Sequence, residues 1–361
     1  LDERCRIGRV NYLEHPHLAP LRQLMTDPTV SEIMVNGPQR LFVERKGRIE
    51  KAAPIFQTAH HLQICIESLV GFSGRAVNAK SPFVDFRLPD GARVNVVIAP
   101  IALDGPVLTI RRAVKSLRKI DDLVQRGSLT QKMAAFLEAC VGAHANILFS
   151  GGTGSGKTTL LGMLSAAINP EERIIVIEDT AELELAQPHV VRMECRPPNL
   201  EGAGAITLAE LLKNSLRMRP TRLILGEVRG EEAFDLLSAF SSGHNGGFAV
   251  VHASSPAQAV SRLELMVLTR GLPYPLWAIQ NQISSAIDII VQHQMMPDGA
   301  RRVTEITAVQ GTSEDSVMLT DIFKWDHDER RYVCTGEHPR IMPRLRRQIS
   351  AIDQVLVRGP G

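Results

Sequence analysis

Residues 150–161 read SGGTGSGKTTLL, between the apolar run NILFS and the helical pattern TTLLGMLSAAI. No other stretch restricts the fold as tightly. Gly151, Gly156, Lys157 and Thr158 fall at the spacing G-x-x-x-x-G-K-[ST], in a turn that leaves a strand and enters a helix. Glycines here let backbone N–H groups converge on phosphate oxygens, and the helix N-terminus adds its partial positive charge. Gly152, Thr153, Gly154, Ser155 and Thr159 complete the candidate cradle. Lys157 is placed to reach the β- and γ-phosphates of ATP, and Thr158 to offer its hydroxyl to Mg2+.

Such a loop needs a sheet to stand on. NILFS, RIIVIED, VVRMEC, RLILGEV and FAVVHA are short apolar runs separated by helical patterns. Runs buried on both faces and alternating with helices predict a mainly parallel sheet in an α/β domain. Residues 1–112 follow another pattern and predict a smaller α/β domain. SEIMVNG and RLFVERKGRIE alternate apolar and polar residues, and AHHLQICIESLVGFSG puts Leu62, Ile66 and Leu69 on one helical face. VDFRLPDGARVNVVIAP reads as a hairpin turned by Pro-Asp-Gly, with VLTIRR as the last strand. The basic, aromatic-free AVKSLRKI at 113–120 predicts a linker, which leaves 121–361 as the second domain. Two domains also suit 361 residues, more than one core usually serves. A hairpin is expected in IDIIVQHQMMPDGARRVTEITAVQG, and a strand pair in VMLTDIFKW and RRYVC.

A phosphate cradle binds but does not by itself hydrolyse, so a carboxylate is required near it. RIIVIED ends in Glu178 and Asp179, and RLILGEV ends in Glu227. In doubly wound sheets ligands lie beyond the carboxyl ends of the strands, where these side chains fall. Gly226 occupies the place where many such strands carry a magnesium-binding aspartate. The expectation is that Thr158 binds magnesium directly and Glu178 through water, which leaves Glu227 to orient the attacking water. His252 follows the strand FAVV and precedes the helix start Ser254-Ser255-Pro256, where an imidazole can touch a γ-phosphate. His244, in the Gly-rich loop upstream, is open between a structural and a functional role. Arginines form a further group: Arg87 and Arg93 flank the Pro-Asp-Gly turn, Arg111 and Arg112 end VLTIRR, and Arg217 and Arg219 precede the Glu227 strand. Phosphoryl transfer spreads negative charge over the γ-phosphate oxygens, so guanidinium groups from a second domain or a neighbouring subunit would fit.

Composition excludes some classes. A net charge of +2 and 4% aromatic residues offer neither a strong field nor stacking platforms, so direct nucleic-acid binding is not expected. No stretch approaches the ~20 apolar residues of a membrane-spanning helix. The sequence starts at Leu1 with no signal-peptide pattern, as a trimmed or partial chain would. Cys5, Cys65, Cys140, Cys195 and Cys334 are scattered and odd in number, which predicts buried thiols rather than disulfides or a zinc site.

Four motifs in order resemble the secretion-superfamily ATPases of type II and type IV secretion and type IV pili. GGTGSGKTT resembles their Walker A loop, VIEDTAEL their aspartate box, LILGEVRGEEA their atypical Walker B and GGFAVVHASSP their histidine box. SEIMVNGP, RLPDGARVN, DGPVLTIRR and SLRMRPTRLILGEVRG resemble the CpaF-like branch that serves tight-adherence (Tad/Flp) pili. The likeness spans roughly residues 28–310 and leaves the last ~50 unmatched. Gly226 before Glu227 conforms to that family, whereas Thr180 stands where other branches have proline. The resemblance implies a RecA-like ATPase domain preceded by a PAS-like one, with ATP and Mg2+ as cofactors. It implies Glu227 as the catalytic glutamate, Glu178 as the aspartate-box acid and His252 as the histidine-box residue. Arg93 and Arg112, with Arg111 as the alternative to the latter, are implied as first-domain arginines that approach the phosphates. It further implies a homo-hexameric cytoplasmic motor at the inner membrane, working on platform proteins of a pilus or secretion machine. A RecA-like nucleic-acid translocase and a non-hydrolysing nucleotide-gated adaptor are the competing readings.

Overall fold

The computed structural model describes residues 12–45, 47–112, 119–196, 198, 203–313 and 316–361. Most of the linker expected at 113–120, and Cys5, lie outside them. The chain divides into two compact units, Leu1–Ser116 and Leu117–Gly361.

The first unit opens with α1 (Ala19–Thr26), followed by β1 (Val30–Asn36), β2 (Leu41–Arg45), β3 (Arg48–Ala52) and α2 (Ala59–Gly71). It closes with β4 (Phe83–Arg87), β5 (Arg93–Val97) and β6 (Val107–Arg111). These strands form an antiparallel sheet in the order β3-β2-β1-β6-β5-β4. Alternation in the sequence becomes alternation of faces. Ile33, Val35, Val43, Val94, Val96, Leu108 and Ile110 are buried in the core that Leu62, Cys65, Ile66 and Leu69 of α2 share. Thr58 starts α2 by accepting a hydrogen bond from the His61 N–H.

The second unit runs α3 (Ile120–Gln125), α4 (Gln131–Gly142), β7 (Ile147–Gly151), α5 (Lys157–Ser165), β8 (Ile174–Glu178), β9 (Val190–Glu194), α6 (Leu208–Ser215), β10 (Arg222–Val228) and α7 (Glu232–Ser241). It continues with β11 (Phe248–Val251), α8 (Pro256–Thr269), α9 (Leu276–Ala286), β12 (Ile289–Met295), β13 (Arg301–Thr312), β14 (Val317–Asp326), β15 (Arg331–Cys334), α10 (Met342–Gln348), α11 (Ile352–Val355) and β16 (Gly359–Pro360). Its sheet has the order β16-β15-β14-β13-β12-β7-β11-β10-β8-β9, parallel from β12 to β9 and antiparallel beyond β12.

Every residue of β7, β8 and β11 is buried, because helices cover both faces. Ile147, Phe149, Ile174 and Val176 pack with α3, α4, α5, α10 and α11. Leu148, Ile175, Ile177 and Leu225 pack with α6 to α9 on the other side. The expected hairpins form as β4–β5 and β12–β13, and the expected strand pair as β14–β15. Cys65, Cys140 and Cys334 are buried free thiols and Cys195 is half-buried. Among the described residues no helix is long and apolar enough to cross a membrane.

Candidate functional site

Parallel strands end together, and that shared edge gathers the site. β7 ends at Gly151, β8 at Glu178, β10 just past Glu227 and β11 just before His252. Their registers lock these ends side by side, with Val251 opposite Ser150, His293 opposite Gly151 and Leu225 opposite Ile177.

Gly156, at φ 103°, caps α5, a backbone angle that favours glycine. Gly151 needs to be glycine for space as well, since a Cβ there would collide with the His293 carbonyl oxygen. Lys157 is 5% exposed, and its Nζ donates to the carbonyl oxygens of Gly151 (2.8 Å) and Gly152 (2.6 Å). The ammonium therefore lies over the loop whose N–H groups would face a phosphate. Ser155 is buried, Thr158 half-buried, and Gly152, Thr153 and Thr159 are exposed.

The absence of an aspartate at 226 has a steric cause. A Cβ on Gly226 would lie 2.7 Å from Glu178 Cγ and 3.4 Å from its Oε1, so the neighbouring strand's carboxylate already fills that space. Glu178 is 3% exposed, and its Oε1 accepts from the backbone N–H groups of Glu182 (2.7 Å) and Leu183 (2.9 Å). Its Oε2 is buried without a hydrogen bond. Burial raises the carboxyl above the usual range, against the pull of the two N–H groups.

Glu227 is 18% exposed and engages both oxygens. Oε1 lies 3.0 Å from His252 Nε2, and Oε2 accepts from Arg229 Nη2 at 2.6 Å. Burial and the Lys157 charge lower the His252 pKa, with Glu227 opposing them. An imidazole kept neutral in this way, with its proton on Nε2, donates to Glu227 Oε1 and holds that oxygen in place.

Two neighbours were missed in the sequence. Arg229 stands two residues past Glu227, where only its nearness to a strand end marks it. His293 is buried behind the loop at the end of β12, its pKa pushed down to about 3 by burial and by the Lys157 charge. The apolar run ahead of Gln292 and His293 marked a strand, and their polarity at its end was the available signal.

Not every expected arginine comes to this edge. Arg217 and Arg219 precede β10, at the opposite end of the sheet from Glu227. From Arg222 to Glu227 the strand alone rises roughly 16 Å, so both lie away from the loop of their own chain. Arg112 also departs from its expected role. Its Nη1 donates to the carbonyl oxygens of Asp27, Val30 (2.8 Å) and Leu24 (3.5 Å), where it closes the carboxyl end of α1. Arg111 is the exposed member of that pair. It stands opposite Arg93, which stands opposite Arg87, so three arginines form one row on the face of the first sheet turned away from its core, with Glu32 of β1 on the other side of Arg111. His244 lies in the loop that leads into β11, again at the far edge.

A glycine turn wrapped by a lysine, backed by a parallel sheet with carboxylates at its carboxyl edge, defines a phosphate-loop fold of the RecA-like kind. The chain belongs to the type II/IV secretion system protein family, whose model matches residues 14–324. It is 35% identical over 294 residues to the conjugal transfer protein TrbB of Rhizobium radiobacter, covering 80% of this chain and 86% of that protein. It is 34% identical over 318 residues to the type IV secretion system protein PtlH of Bordetella pertussis, covering 79% and 92%. The fold is similar to that of the Legionella pneumophila ATPase DotB, with a TM-score of 0.58, 20% identity and coverage of 86% and 81%.

Proposed function

We propose that this protein hydrolyses ATP as a subunit of a homo-hexameric motor, of the CpaF-like kind, that drives a pilus or secretion machine from the cytoplasmic face of the inner membrane. The observation that carries the reading is the convergence of Lys157, Glu178, Glu227 and His252 on one sheet edge. Lys157 and the loop N–H groups hold the β- and γ-phosphates. Glu227 accepts a hydrogen bond from the attacking water and takes up its proton, while His252 steadies Oε1 and stands ready at the γ-phosphate. The Thr158 hydroxyl and, through water, the orphaned Oε2 of Glu178 suit magnesium, a hard cation that keeps most of its waters and neutralises phosphate charge when bound. Arg93 acts with Arg111 on the growing γ-phosphate charge, on its own chain's nucleotide or a neighbour's. Arg217 and Arg219 could serve only a neighbouring subunit's site.

Phosphate release by the purified protein tests this. The expected result is magnesium-dependent turnover at native hexameric mass that single-stranded DNA does not stimulate. Turnover that requires DNA would instead indicate a nucleic-acid translocase, and ATP binding without release would indicate an adaptor.

A further inference from the structure

The loop between β10 and α7 carries a side chain with no task in the mechanism above. Arg229 Nη2 donates to Glu227 Oε2 at 2.6 Å, and its Nη1 lies 3.7 Å from Asp179 Oδ2. With His252 Nε2 3.0 Å from Oε1, the Glu227 carboxylate is gripped at both oxygens. Groups from three adjacent strand ends take part: Asp179 after β8, Glu227 on β10 and His252 after β11. The arginine is itself anchored. The N–H groups of Arg229 and Gly230 donate to Glu232 Oε1 at 2.6 and 2.9 Å, and Glu232 is buried in the first turn of α7. Charge-assisted hydrogen bonds thus run from α7 through Glu232 and Arg229 to Glu227.

We infer that Arg229 is a positioning residue for Glu227, holding the carboxylate at the angle from which a remaining lone pair faces the attacking water, and that Glu232 fixes the arginine. This deepens the ATPase reading and rests on it. A glutamate reaches its carboxylate through three rotatable bonds, and an 18% exposed one is not confined by packing alone. A carboxylate has about four lone-pair sites, so two partners fix its plane and still leave room for water. The planar fork of an arginine can span two carboxylates in a way that a lysine point charge cannot. Arg229 is 61% exposed, so its removal opens no cavity, and the remaining partner of the 18% exposed Glu227 is His252.

The test compares wild type, Arg229→Ala and Arg229→Lys, each with and without Glu227→Gln. Steady-state kcat and KM are measured together with affinity for the fluorescent analogue mant-ATP and with melting temperature. A displacement of about 1 Å at a reacting group costs on the order of 10²-fold. Arg229→Ala is therefore expected to lower kcat by roughly 10- to 100-fold, with mant-ATP affinity and melting temperature unchanged. Arg229→Lys should recover part of the loss. In the Glu227→Gln background Arg229→Ala should cost nothing further, because residues acting as one unit are not additive. Unchanged kcat, a parallel fall in mant-ATP affinity, or the same loss in the Glu227→Gln background would each overturn the assignment. A wild-type protein that releases no phosphate would sink the ATPase reading instead.

Discussion

Substituting Gly226 by alanine probes the packing of the two strand ends directly. No positive φ is involved, so the cost comes from space alone. The new Cβ would meet Glu178 Cγ at 2.7 Å, a separation that real Cβ atoms do not show, and Cβ and Oε1 at 3.4 Å. Glu178 must shift, and it is buried with Oε1 bound to two backbone N–H groups. Overpacking of this kind costs about 1–3 kcal/mol. For a unit of this size that lowers the melting temperature by about 2–12 °C. Displacing a group beside the phosphates should also cut turnover by roughly 10- to 100-fold. Calorimetry and phosphate release measure the two effects. The discriminating variant is Glu178→Ala, in whose background Gly226→Ala should be nearly neutral for stability, since contacting residues couple. An equal cost in both backgrounds, or a Gly226→Ala protein indistinguishable from wild type, would refute the reasoning.

Other expectations follow from the same geometry. His252→Ala should bind mant-ATP normally yet hydrolyse ATP slowly or fail to couple hydrolysis to assembly; normal rate and assembly together would make His252 structural. His293 has its pKa lowered from 6.5 to about 3, so the unfolded chain binds the extra proton first and stability is lost as pH falls below 6.5. The slope approaches about 1.4 kcal/mol per pH unit, and a melting series from pH 7 to 4 should be flatter for His293→Gln. Arg112→Ala should destabilise the first unit by about 1–3 kcal/mol through its carbonyl partners and leave the turnover of folded protein unchanged. Arg93→Ala with Arg111→Ala should do the reverse, lowering turnover by roughly 10³-fold; a reversed pattern in the two proteins would restore Arg112 to the phosphates.

What could be read from the sequence was local. Period-two alternation in residues 30–111 and fully apolar runs from Ile147 onward distinguish a one-sided sheet from a two-sided one, and SGGTGSGKTT specifies its own turn. Glu178, Glu227 and His252 were legible because parallel strands end at one edge. Nonlocal features were not legible in this way. The steric reason for Gly226 depends on β8 lying beside β10. Arg112 finds carbonyl partners 82 to 88 residues earlier in the chain, which no spacing rule predicts. Nearness in sequence to Glu227 hides the length of the strand that separates Arg217 and Arg219 from it. Arg229 is an exposed charge in a loop, a pattern shared with many idle surface residues.

The central claim is a division of labour on one sheet edge, with Lys157 holding phosphate and Glu227 acting on water. Affinity for mant-ATP and phosphate release, measured on the same preparations of wild type, Lys157→Ala and Glu227→Gln, test it most directly. Lys157→Ala should lose binding. Glu227→Gln should bind nearly as wild type and lose roughly 10²- to 10⁴-fold of turnover, the range of a general base. Equal loss of affinity in both variants, or full turnover by Glu227→Gln, would contradict the account.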